Sequence, residues 1–188
     1  MNIQATTKIH SAWVGAMGWH NKNLLEYLAL IGSEIGEAVA EAPRNQITPA
    51  FGSELIDIVL RIIDCAHMHE VSLLDEASSL LELPSFTQES QASMTFYDLA
   101  LLAQDHRDAL LSGQEQSVLE QLACLMPDLA QAMNDCRKAE RAPTFGRHLT
   151  AVCLGALALA SRCDIDINEV ISAKIESNAQ KGNKGRLI

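Results

Sequence analysis

The chain has 188 residues, 48% of them hydrophobic, enough to bury a sizeable core in one domain or two small ones. Its net charge of −10 and pI near 4.9 are the opposite of the basic footprint that holds a phosphate backbone, so no nucleic acid partner is expected. The five cysteines are odd in number and scattered, and no basic segment leads into an apolar one at the start; neither export nor a disulfide framework is expected, and the expected localisation is cytoplasmic.

Apolar residues recur with a 3.6-residue period along most of the chain, which predicts an all-α fold. Helices are predicted near 8–18, 23–42, 50–69 and 72–82, with Thr48 before Pro49 and Ser72 before Leu73 as start signals. Residues 85–93, rich in Ser, Gln, Thr and Glu, read as a solvated linker. Further helices are predicted near 94–112, 115–138, 143–162 and 167–180. The longest uncharged apolar stretch, Leu149 to Ala160, falls short of the roughly 18 residues that span a bilayer, so it reads as a buried helix and no membrane partner is expected.

The second set of helices repeats the first. Residues 25–60 align without a gap on 119–154, at an offset of 94, with Leu28/Leu122, Ala38/Ala132, Pro49/Pro143, Phe51/Phe145, Gly52/Gly146 and Leu55/Leu149 among the identities. A gapless run that carries Pro, Phe and Gly in register is hard to obtain from two unrelated apolar helices. The expected organisation is therefore two four-helix units, 1–84 and 94–188, stacked around one shared core.

Charge separates the two copies. At about 100° per residue, Glu34, Glu37 and Glu41 form one acidic stripe on the second helix, and Glu54, Asp57, Arg61 and Asp64 form another on the third. The rest of that third helix is aliphatic, so protein must surround it, and charges facing a core persist only when paired, hydrated or bound to metal. Arg61 can neutralise one carboxylate; the excess suits a hard divalent cation with oxygen ligands, Mg²⁺ or Mn²⁺. The competing reading of the first stripe is an ordinary solvated face. In copy two the aligned residues are Asp128, Gln131 and Asp135, then His148, Ala151, Gly155 and Ala158, a pattern better explained by a site abandoned and filled in than by a face in solvent. Cys65, His67 and His69 are rejected as a soft-metal site, because a spacing of two points helical side chains in different directions.

These residues resemble the MazG-like, all-α nucleoside triphosphate pyrophosphohydrolases, which carry Glu-x-x-Glu on one helix and Glu-x-x-Asp on the next. Here the pairs are Glu34-x-x-Glu37 and Glu54-x-x-Asp57, and the likeness runs from Trp13 to Asp64. Lys174, Asn178, Lys181 and the following Gly-Asn-Lys-Gly match the family's basic ending, but they sit in copy two, and Leu80 and Pro84 replace Lys and Asn in copy one. Because family members build their sites between packed subunits, the resemblance implies a tandem pseudo-dimer with one site divided between its copies, and a homodimer of such chains.

The resemblance further implies Mg²⁺-dependent cleavage of a nucleoside triphosphate to the monophosphate and pyrophosphate. Glu34, Glu37, Glu54 and Asp57 are the implied metal ligands, and Glu37 or Glu41 the implied general base. Arg44, Lys174 and Lys181, with Asn178 and Arg61, are candidate contacts to the substrate; Lys184 is either a phosphate contact or a surface cation. Trp13 and Trp19 can stack on a base or pack in the core. Asn23 can bind a base or sugar or cap the second helix. Two other functions compete: a di-iron or di-manganese carboxylate bundle, whose recurrent Glu-x-x-His is missing, and a non-catalytic nucleotide-binding or assembly protein.

Overall fold

The computed structural model describes residues 2–21, 23–42, 46–137 and 141–181. It is all-helical: α1 (Ile3–Ala16), α2 (Leu24–Ala40), α3 (Pro49–Met68), α4 (Leu73–Leu80), α5 (Gln88–Ser93), α6 (Phe96–Leu111), α7 (Val118–Ala123), α8 (Met126–Asp135), α9 (Phe145–Arg162) and α10 (Ile167–Lys181). Among the described residues no helix is long and apolar enough to cross a membrane.

Local chemistry sets most boundaries. Asn23 starts α2 by accepting the backbone N–H of Glu26 at 3.0 Å, and Thr48 starts α3 by accepting that of Phe51 at 3.1 Å, with Pro49 in the first turn. Ser72 precedes α4 as expected, but its side chain makes no capping bond. Three predicted elements differ from the structure. Helix α1, expected near 8–18, starts at Ile3, where Asn2 accepts the backbone N–H of Ala5 at 3.0 Å. The expected single helix over 115–138 is broken into α7 and α8 around Cys124 and Leu125, just ahead of Pro127, whose missing N–H cannot continue the helical ladder. The segment expected to be a solvated linker contains α5, capped by Thr87 through the N–H of Ser90 at 3.2 Å.

At the centre α3 and α9 pack against each other, each flanked by helices of its own half: α1 and α2 lie on α3, and α6, α7 and α8 lie on α9. The fourth helix of each half crosses over, α4 packing on α9 and α10 on α3. One hydrophobic cluster runs through both halves, from Tyr27, Ile31 and Ile35 through Ile58, Ile62 and Ile63 to Leu149, Val152 and Leu157. Each large aliphatic side chain in it contributes about 1.5–3 kcal/mol of burial.

Close approach of the halves depends on two aligned glycines. A Cβ on Gly52 would lie 3.3 Å from Ile165 Cγ2, and one on Gly146 would lie 3.2 Å from Val71 Cγ1, the same contact with the halves exchanged. Replacing Gly52 by Val forces α3 away from the turn before α10. We expect Gly52→Val to cost about 1–3 kcal/mol through overpacking, read as a lowered denaturant midpoint; an unchanged midpoint would show that this contact does not limit the packing.

Candidate active site

A cleft of about 420 Å³ opens where α1, α2, α3 and α10 meet. Helix α1 contributes His10 and Trp13, the turn after it contributes Trp19, and α2 contributes Glu34 and Glu37. Asp57, Arg61 and Asp64 come from α3, and Lys174 and Asn178 from α10 in the other half of the chain. The 3.6-residue repeat explains why one face of α3 can supply all three of its groups while its other faces stay in the core.

The carboxylates crowd one end. Oxygens of Glu34, Glu54 and Asp57 lie within 4.8 Å of one another. That spacing is close to the roughly 4.2 Å between opposite oxygens around an ion with ~2.1 Å bonds, so modest side-chain rotation lets the three share Mg²⁺ or Mn²⁺. Each carboxylate that has a cation uses it locally: Arg61 Nε donates to Glu34 Oε1 at 3.0 Å, and Lys174 Nζ pairs with Asp57 Oδ2. Glu37 is exposed on the cleft rim and accepts from Ser33 Oγ at 3.4 Å.

Electrostatics record the strain of this arrangement. Burial pushes the Glu34 carboxyl above its ordinary range; Arg61 opposes the rise, while Asp57 and Glu37 add to it. Glu54 is also raised, chiefly by lost hydration and then by Asp57, Glu37 and Glu34, against the pull of Lys174. A divalent cation would reverse the balance by supplying the positive charge that two monovalent side chains only partly provide.

The opposite end is aromatic, with Trp13, Trp19 and His20 half-buried and His10, Tyr27 and Asp64 buried. Trp13 and Trp19 meet edge to face with centroids 4.8 Å apart, and His10 stacks on Trp13 at 6.1 Å. His20 Nδ1 lies 3.3 Å from Asp64 Oδ2 and 3.2 Å from the Tyr27 hydroxyl. Burial, and then the Asp64 carboxylate, push the Tyr27 phenol well above its usual range. Burial lowers the His10 pKa despite the nearby Asp64, which favours a neutral imidazole.

Of the residues singled out by sequence, the cleft gathers Trp13, Trp19, Glu34, Glu37, Asp57, Arg61, Lys174 and Asn178, and Glu54 adjoins it through the carboxylate cluster. Glu41 does not line it; it is exposed at the end of α2. Asn23 is the exposed cap of α2 and is also outside the lining. Arg44, Lys184 and the side chain of Lys181 lie outside the described residues. Periodicity did not single out His10, His20 or Tyr27, whose meeting with Asp64 depends on the turn that follows α1; the signal for Asp64 was its place on the charged stripe of α3.

The aligned region of the second half has changed chemistry. His148 Nδ1 and Asp128 Oδ1, at the positions of Glu54 and Glu34, are 3.0 Å apart and satisfy each other. At the position of Arg61, Gly155 admits Leu125: a Cβ there would meet its Cδ2 at 2.4 Å. A smaller groove of about 180 Å³ remains, lined by Leu80, Ala151, Leu154 and Ala158 where the first cleft has Lys174, Asp57, Leu60 and Asp64. Comparison with family models, with curated proteins and with solved structures finds no match to this chain.

The raised Glu54 predicts a pH signature without metal. A proton on Glu54 is held more tightly in the folded than in the unfolded chain, so its stabilising contribution is complete below the ordinary value of 4.5 and is lost as pH rises through the higher folded-state value. Glu54→Gln, neutral throughout, should raise the melting temperature of metal-free protein at pH 7 but not at pH 4, and should weaken Mn²⁺ binding. Equal melting temperatures for wild type and variant at pH 7 would contradict this reading of the cluster.

Proposed function

We propose that the chain is a Mg²⁺-dependent nucleoside triphosphate pyrophosphohydrolase, a fused MazG-like pseudo-dimer with one site divided between its halves. The observation that carries the reading is the meeting of Glu34, Glu54 and Asp57 from the first half with Lys174 from the second. The sequence motifs on α2 and α3 support it, as do the reciprocal crossing of α4 and α10 and the self-satisfied His148–Asp128 pair in the second half.

In this reading Glu34, Glu54 and Asp57 hold the metal, with Glu37 at the rim as a further ligand. Bound Mg²⁺ neutralises the triphosphate, polarises the α-phosphoryl group and lowers the pKa of the attacking water. Glu37 stands at the open side of the cluster, where its carboxylate can take the proton from that water; Glu41 is too far along α2 to line the same space. The water oxygen bonds to the α-phosphorus, the bond from that phosphorus to the bridging oxygen breaks, and pyrophosphate leaves with the electron pair. Lys174, which pairs with Asp57, would be free to pair with phosphate oxygens if that carboxylate held a metal ion, and Arg61 holds Glu34 in place. Trp13 and Trp19, perpendicular to each other, bound the space for the base, one by its face and the other by its edge. We place the enzyme in the cytoplasm, where two such chains can pair into a four-unit assembly.

A panel of canonical and modified (d)NTPs with Mg²⁺ or Mn²⁺, scored for pyrophosphate, tests the reading. Glu37→Gln and Asp57→Asn should each lower turnover by about 100-fold or more. Lys174→Ala combined with Asn178→Ala should cripple turnover yet keep Mn²⁺ binding, because Asp57 loses its competing cation. No pyrophosphate from any nucleotide, or wild-type rates in these variants, would overturn the proposal.

A further inference from the structure

The cleft has a second chemical end that the hydrolytic step does not use. Asp64 follows Asp57 by seven residues on α3, a separation of roughly 10 Å along the helix axis at 1.5 Å per residue. That is the scale of one nucleoside, from its α-phosphate to the edge of its base. At this end Asp64 Oδ1, His10 Nδ1 and Trp13 Nε1 are buried and have no hydrogen-bond partner among the described residues. Asp64 and His10 are 4% and 6% exposed, and all three residues line the cleft. Buried polar atoms are nearly always paired in a folded protein, so three such atoms on the α1 and α3 sides of one cleft call for a ligand that completes them.

Their chemistry restricts what that ligand can be. Asp64 Oδ2 is already engaged by His20, leaving Oδ1 as a single acceptor. An indole N–H can only donate, and a neutral imidazole offers one donor and one acceptor. The complement is a group that donates one N–H beside an acceptor. The amino edges of cytosine and adenine have this form, an exocyclic amine next to a ring nitrogen. Uracil and thymine also carry a donor beside an acceptor, N3–H next to a carbonyl, but a base held at the same depth in the cleft brings its O4 carbonyl to the place where cytosine brings its amine, and a carbonyl facing a carboxylate has no proton to share.

Resting on the nucleotide reading above, we propose that Asp64 is the residue that selects the base, accepting a hydrogen bond from the exocyclic amine of an aminated base while the Trp13 indole N–H donates to the neighbouring acceptor. Burial of these groups makes the selection strong, since a keto base leaves them unpaired within the closed wall. His20 and Tyr27 are positioning residues, holding Asp64 through its other oxygen.

The test compares kcat/KM for dCTP, dATP, dUTP and dTTP with Mg²⁺, together with the triphosphate of 2-pyrimidinone deoxyriboside, which is cytosine without its amine. The last compound probes the unaltered protein. Wild type should favour dCTP over the 2-pyrimidinone nucleotide by about 100-fold or more. Asp64→Asn keeps the side-chain shape but can donate to a carbonyl, and it should move the preference towards dUTP and dTTP. Equal turnover of amino and keto nucleotides by wild type, or an unchanged ratio in Asp64→Asn, would overturn the assignment of Asp64 while leaving the hydrolase reading intact. Failure to turn over any nucleotide would overturn both.

Discussion

Like charges held together at the edge of a hydrophobic core must be balanced, and that constraint organises the cleft. The oxygens of Glu34, Glu54 and Asp57 sit within 4.8 Å of one another, on helices whose remaining faces are occupied by Ile31, Ile35, Ile58, Ile62 and Ile63. Water is too sparse there to screen them fully, and Glu34 and Glu54 respond with raised affinity for protons. Arg61 and Lys174 supply two monovalent charges from one helix of the same half and one of the other. The balance is therefore built across the halves, and the crossing of α10 onto α3 is what permits it.

The second half shows how the same framework settles when the constraint is removed. The positions aligned with Glu54 and Glu34 hold His148 and Asp128, which satisfy each other, while Gly155 lets Leu125 pack where Arg61 stands in the first half, and Ala151 and Ala158 take the places of Asp57 and Asp64. Leu80 stands in the place of Lys174, and Arg107, which also lines this groove, donates to Gln116 Oε1 at 2.8 Å. Losses of charge on α9 and α4 are matched, as physical complementarity demands of residues that share one cavity.

Much of this was legible in the chain because it follows from periodicity. The 3.6-residue spacing placed α2, α3, α9 and α10 within a few residues, and the angular positions of Glu34, Glu54, Asp57 and Asp64 put them on common faces. Pairings between helices were not legible from spacing alone: Lys174 was expected in the same site as Asp57 only through the family resemblance, as a phosphate contact, and its ion pair with Asp57, like that of Arg61 with Glu34, needed the fold. The break between α7 and α8 was missed because the apolar period continues through it, although Pro127 marks the place. His10 and Tyr27 escaped notice as single polar groups on largely apolar helical faces, and His20 because it lies in the turn after α1, where no period operates. Asn23 illustrates the reverse case, a polar residue with two open readings whose side chain the structure places on the N–H of Glu26.

The central claim is that one chain contains one complete site assembled from both halves. Titration calorimetry with an α,β-imido dNTP in saturating Mg²⁺ measures this directly as nucleotides bound per chain. The account predicts one, abolished by Asp57→Asn in the first half and strongly weakened by Lys174→Ala in the second. Two equivalent sites per chain, or a single site indifferent to one of these substitutions, would contradict it.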